Sequence, residues 1–234
     1  MGYSTLLFDL DHTLLDSDAS EVAAFAEAVR SVGHEPSDDL FTCYQTINRA
    51  LWARVEQGEI TPVEVKVTRF EQLIDQADMG HGGIGSASAE TMAKSFTAGL
   101  GNNGELYPGA REVLDQLAGR ARLAMVTNGL SEVQRARIER LDLGGYFESV
   151  VISAEVGCSK PGTEIFDLVF EQLGHPERSD TLMIGDSLTS DIQGGTNYEI
   201  DTCWFNPHRQ ARPETTTARV THEIDNLNRI PGFL

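Results

Sequence analysis

Short apolar runs punctuate this chain at intervals. Thr5 to Leu10 (TLLFDL) is apolar up to its acidic end and predicts a strand buried on both faces, where no polar alternation is needed. Leu123–Val126, Val150–Ile152, Thr181–Ile184 and Thr202–Phe205 have the same character, and Ala218–Thr221 predicts a last strand. Amphipathic stretches lie between them and predict helices over Ala110–Leu117, Glu132–Leu141, Glu164–Leu173 and Asp191–Tyr198. Ser131 and Gln134 have capping-box spacing at the start of the second helix. Strand and helix alternating from about residue 105 predict parallel βαβ units, hence an α/β fold with a doubly wound parallel sheet.

Residues 16–99 break that rhythm. They carry helical periods over Glu21–Val32, Asp39–Glu56, Thr61–Gln76 and Ala89–Gly99 and no convincing strand, so the expected organisation is a core of 1–15 and 100–234 with a helical insert at 16–99. Thr61, Pro62 and Glu64 form a good helix start, with a cap, a proline at the first helical position and a reciprocal glutamate. The glycine-rich pieces at 80–85 and 99–105 read as a turn within the insert and a hinge back to the sheet.

At 234 residues, roughly one and a half typical domain lengths, the chain fits one large domain plus an insert. Its net charge of −18 repels phosphate backbones and anionic lipid, which argues against nucleic-acid polymers and membranes as partners. A phosphate-bearing ligand then needs a local device: a metal ion, a helix N-terminus or a placed cation. Lys66, Lys94 and Lys160 are the only lysines; salt adaptation and an arginine-favouring genome both account for that. Three cysteines at long spacings support neither a disulfide framework nor a zinc site, and with no apolar run of membrane-spanning length or signal-peptide pattern the expected setting is the cytoplasm. Monomer and homodimer are both compatible with the sequence.

In an open parallel sheet ligands bind beyond the carboxyl ends of the strands. Those ends here carry Asp9, Asp11 and Thr13 (FDLDHT), Thr127 and Asn128 (VTNG), Lys160 (SKPG), and Asp186, Ser187 and Asp191 (IGDSLTSD). Asp9, Asp11 and Asp186 gathered at one edge repel one another, and a hard divalent cation resolves the conflict. An all-oxygen donor set selects Mg²⁺. Asp9 is placed to attack phosphorus, and Asp11, two residues on, to exchange a proton with the leaving oxygen. Asp11 must then start protonated, so its surroundings are expected to raise its pKa. Lys160 and the Thr127 hydroxyl are expected to hold the phosphoryl oxygens.

Together FDLDHT, VTNG, SKPG and IGDSLTSD resemble the four motifs of the haloacid dehalogenase-like superfamily, and the helical insert resembles its C1-type cap. That resemblance spans nearly the whole chain. It implies Asp9 as nucleophile and metal ligand, Asp11 as acid/base and metal ligand through its backbone carbonyl, and Thr127, Asn128 and Lys160 as phosphate binders. It further implies Asp186 as metal ligand, with Asp191 supporting the metal's waters. Dehalogenases release halide without a proton, so the presence of Asp11 favours phosphatase chemistry. YQTINRALWARVEQGEIT (44–61), VVISAEVGCSKPGTEIFDLVFEQLG (150–174) and IQGGTNYEIDTCWFNP (192–207) are similar to bacterial pyrimidine 5'-nucleotidases, which implies a nucleoside monophosphate as the small-molecule substrate. Tyr198-Glu199 departs from the usual small residue and glycine, so a non-glycine residue must take the helix C-cap.

Tyr44, Asn48 and Trp52 share one helical face in the insert. Trp52 or Tyr44 could stack on a base and Asn48 bond its edge, although such an aromatic stripe also serves as cap core. Other substrates of the same chemistry are sugar phosphates and phosphoglycolate, with phosphomutase a neighbouring reaction. A non-catalytic binding protein on this fold would be expected to lose Asp9 or Asp11, and both are present.

Overall fold

The computed structural model describes residues 2–79 and 88–234; the stretch at 80–85, read above as a turn, lies outside them. Strand β1 (Thr5–Phe8) leads through β2 (Leu15–Asp16) into four helices, α1 (Asp18–Ser31), α2 (Asp38–Glu56), α3 (Pro62–Met79) and α4 (Ala89–Asn102), and β3 (Glu105–Leu106) follows. The chain then alternates: α5 (Ala110–Leu117), β4 (Arg122–Thr127), α6 (Ser131–Arg140), β5 (Ser149–Ile152), α7 (Ser153–Val156), α8 (Glu164–Gln172), β6 (Thr181–Gly185), α9 (Gln193–Asn197), β7 (Asp201–Phe205) and β8 (His222–Ile224). Six strands form one sheet in the order β5-β4-β1-β6-β7-β8, every pairing parallel.

β1 lies between β4 and β6 and is buried throughout, which is why TLLF is apolar without alternation. Leu6 and Phe8 pack on one face of the sheet with Leu114 and Leu143, while Leu7 packs on the other with Phe166 and Val169. The order changes direction at β1, so the carboxyl ends of β1, β4 and β6 meet over a crevice.

The four helices bury a core of their own. Tyr44 is wholly inaccessible and touches the rings of Phe25, Phe41, Phe70 and Phe96 at centroid distances of 5.0–6.0 Å. Thr61 and Glu64 cap α3 reciprocally: Thr61 N donates to Glu64 Oε2 at 2.7 Å and Glu64 N to Thr61 Oγ1 at 3.3 Å. The chain enters and leaves this unit side by side, because β2 pairs antiparallel with β3, Leu15 opposite Leu106 and Asp16 opposite Glu105.

Four expectations need correction. Residues 99–102 continue α4 instead of forming a hinge; a Cβ on Gly99 would lie 2.8 Å from Ala24, so that glycine lets α1 and α4 approach closely. The last strand starts at His222, not Ala218, because side chains tie the preceding backbone: Thr202 Oγ1 donates to Arg219 O, and Thr202 N donates to Thr221 Oγ1 at 3.2 Å. Ser131 and Gln134 make no capping box, since Leu130 occupies the N-cap and Gln134 turns to the crevice. Lastly, the helix expected from Asp191 opens as a π-helical turn over Leu188–Ile192 before α9 begins. Beyond α9, Glu199 adopts φ 60°, the left-handed conformation that the missing glycine would have supplied.

Candidate active site

β1 ends at Phe8, and the next residue, Asp9, is held in line by its N–H donating to Ile184 O at 3.0 Å. Lys160, almost wholly buried, reaches it from the loop after α7: its Nζ donates to Asp9 Oδ1 at 2.7 Å, to Asp191 Oδ1 at 2.6 Å and to Val126 O at 2.6 Å. Three acceptors satisfy the three ammonium protons, so the cation is locked. Asn128 fastens the Lys160 loop, accepting from Lys160 N at 3.0 Å and donating to Lys160 O at 2.9 Å and Ser190 Oγ at 3.2 Å. Its amide is thus occupied with positioning lysine. Thr127 is inaccessible; its Oγ1 accepts from Gln134 Nε2 at 2.8 Å, which leaves its own proton to donate.

Asp191 comes to the crevice over Gly185, where any Cβ would overlap its side chain. Carboxylate oxygens of Asp9, Asp186 and Asp191 lie within 4.8 Å of one another. Burial, followed by the charges of Asp191 and Asp186, pushes the Asp9 carboxyl well above the usual range despite Lys160. Burial and Asp191 likewise push Asp186 up to about 8. Burial alone would lower the Lys160 ammonium, but the paired carboxylates raise it, so it stays charged. Three crowded oxygen donors short of positive charge fit a hard divalent cation, with Asp191 inside the donor group. Thr13 Oγ1 stands 3.4 Å from Asp186 Oδ1, and Trp204 Nε1 donates to Asp186 O at 2.7 Å. Ser187 accepts from Ser190 N at 3.1 Å, which sets the turn carrying Asp191.

Asp11 behaves differently from expectation. Its carboxylate turns to Arg137 Nη1 at 2.5 Å, Gln134 Nε2 at 2.8 Å and the Ser17 hydroxyl. Burial raises its pKa, yet Arg137, Ser17, His12 and Gln134 together outweigh burial and hold it below the usual carboxylate range. The Asp11 carboxyl of this structure is therefore ionised at neutral pH. Ser17 spends its hydroxyl here and leaves the start of α1 without a side-chain cap. Arg137 also donates to Leu100 O at 3.0 Å and Ser20 Oγ at 3.3 Å, tying the acid to both ends of the helical unit. Nothing in the sequence flagged Arg137: a buried arginine and a surface one read alike on a short, polar helix.

A cavity of about 240 Å³ opens beside Asp11 and is roofed by the helical unit. Asn48 and Trp52 line it; Tyr44 does not, its ring being enclosed in the aromatic core, so its expected base stacking is replaced by a single contact, Oη donating to Glu21 at 2.9 Å. Glu21 and Arg69 line it too and were missed. Arg69 had a signal, since it stands between Val65 and Leu73 at steps of four on an otherwise apolar stripe. No described helix is long and apolar enough to cross a membrane.

The family model for haloacid dehalogenase-like hydrolases matches residues 3–198. The pyrimidine 5'-nucleotidase YjjG of Escherichia coli (strain K12) is 36% identical over 231 residues, covering 97% of this chain and 98% of the relative. The pyrimidine 5'-nucleotidase PynA of Streptococcus pneumoniae (strain ATCC BAA-255 / R6) is 36% identical over 96% of this chain and 92% of its own length. Among solved structures, the magnesium-bound crystal structure of the HAD-hydrolase YfnB from Bacillus subtilis superposes with a TM-score of 0.87 at 34% identity, covering 98% of this chain and 97% of that one.

Proposed function

The chain belongs to the haloacid dehalogenase-like hydrolases, and from that premise we propose that it is a Mg²⁺-dependent phosphatase acting on nucleoside monophosphates. One observation carries the chemistry: a buried lysine bridges two carboxylates beside a third, and Asp11, two residues after the first of them, lines the roofed cavity.

Asp9, Asp186 and the Asp11 carbonyl, with Asp191 beside them, would hold Mg²⁺, which would offset the charge of the carboxylates and the incoming phosphate. Asp9 attacks phosphorus, the bond to the leaving oxygen breaks, and that oxygen takes a proton from Asp11. Water then attacks the aspartyl-phosphate and gives a proton back to Asp11, which frees phosphate and restores Asp9. Since Asp11 is held as an anion by Arg137, it has to leave that contact to take up the proton it donates. The Thr127 hydroxyl holds a phosphoryl oxygen, Lys160 does so by giving up one of its three present acceptors, and Asn128 acts by fixing the Lys160 loop. The helical unit between β2 and β3 is the cap, and it excludes water while the aspartyl-phosphate exists.

The nucleotide class is supported by the two pyrimidine 5'-nucleotidases that match over nearly the full chain. The test is a panel of phosphate monoesters with Mg²⁺ and with EDTA. Phosphate release from nucleoside monophosphates, lost in EDTA and in Asp9→Asn, is the expected result. Turnover of sugar phosphates with none of any nucleotide would remove the nucleotide assignment and keep the phosphatase.

A further inference from the structure

In the proposed reaction the leaving oxygen faces Asp11, and Asp11 lines the cavity under the helical unit. Glu21 from α1, Asn48 from α2 and Arg69 from α3 line that cavity. Burying the Arg69 guanidinium beside the half-buried Glu21 carboxylate costs desolvation, and direct pairing would offset it. They are not paired. Among the described residues Glu21 and Arg69 form no salt bridge; the Asn48 amide stands between them, donating to Glu21 Oε1 at 3.1 Å and accepting from Arg69 Nη1 at 3.1 Å. Tyr44 Oη also donates to Glu21 Oε1, Arg69 Nε donates to Val65 O at 3.1 Å, and the guanidinium lies 5.1 Å from the Phe96 centroid. Both charged groups are therefore held rigidly, and Glu21 Oε2 accepts no hydrogen bond from the described residues.

A fixed anionic acceptor alongside a fixed cationic donor complements a ring edge that carries a donor next to an acceptor. Pyrimidines present such an edge: N3–H beside O4 in uracil, an exocyclic N–H beside N3 in cytosine. Trp52, lining the same cavity, offers a flat apolar wall for the ring. Resting on the nucleotidase assignment above, we propose that Glu21 and Arg69 read the base edge of a pyrimidine nucleoside monophosphate, with Asn48 holding the two groups apart.

The test compares kcat/KM for uridine 5'-monophosphate, its N3-methyl derivative and ribose 5-phosphate in the wild type, Glu21→Gln and Arg69→Lys. The N3-methyl group removes the donor, so the wild type should lose at least tenfold on it. Glu21→Gln should lower the uridine nucleotide at least tenfold more than ribose 5-phosphate, and the methyl penalty should shrink in that variant, since a merely steric penalty would survive an isosteric change. Arg69→Lys should likewise cost the nucleotide more than ribose 5-phosphate. A wild-type methyl penalty below tenfold, or one unchanged in Glu21→Gln, overturns the assignment while leaving the nucleotidase intact. If Glu21→Gln does not fold, Arg69→Lys decides: a loss on the uridine nucleotide no larger than on ribose 5-phosphate overturns the assignment. Absence of hydrolysis for every nucleotide would instead bring down the function on which the assignment rests.

Discussion

Replacing Lys160 by methionine keeps most of the side-chain volume and removes the charge that joins Asp9 to Asp191. Two charge-assisted bonds are lost, each contributing about 1.5–3 kcal/mol, together with the bond to Val126 O. Two carboxylates are then left buried without their cation, and breaking a buried pair in this way costs about 3–5 kcal/mol. For a chain of this length that corresponds to a melting temperature lower by about 6–20 °C. The assay is calorimetric unfolding in EDTA from about pH 5 to pH 8, and the deficit should grow with pH. Without metal, Asp9 and Asp186 titrate above their unfolded values, Asp186 at about 8. Stability from a carboxyl raised in this way is present below the unfolded pKa, near 4, and is lost as pH rises through the folded value. Removing Lys160 raises Asp9 further and so steepens that loss. A variant melting within about 2 °C of wild type at pH 8, or a deficit that shrinks as pH rises, would refute the reasoning.

Three further outcomes follow from the geometry. Gly185→Ala should fold yet bind Mg²⁺ at least about tenfold more weakly, because its Cβ displaces Asp191; isothermal titration measures this. Glu199→Gly should stabilise by about 0.5–1 kcal/mol, the relief of the left-handed backbone less the entropy glycine adds to the unfolded chain, read as a rise of about 1–4 °C in the melt. Mg²⁺ added to the metal-free protein should raise the melting temperature more at pH 8 than at pH 6, since more of the Asp9 and Asp186 population is already ionised there.

What the sequence disclosed follows from how local each signal is. Strands with two buried faces announce themselves as unbroken apolar runs, and a parallel sheet then fixes where their exits lie, so Asp9, Thr127, Lys160, Asp186 and Asp191 could be brought to one edge without coordinates. Partners from remote segments could not be read. Gln134 matched a capping box by spacing, and only the approach of β1 turns it toward Asp11. The charge state of Asp11 was expected wrongly for the same reason, because Arg137 lies 126 positions away along the chain. Gly99 looked like a loop residue, since sequence alone does not separate a glycine that bends the chain from one that lets two helices touch.

The two-rung ribbon of β2 and β3 has a mechanical corollary. Both crossings of the polypeptide are hydrogen-bonded to each other, so the roof is hung like a door on one narrow leaf: it can swing and twist about the ribbon while sliding is resisted. Length added or removed beyond that leaf leaves the spacing of the two crossings unchanged, so a roof could be enlarged, trimmed or exchanged by recombination without moving Asp9.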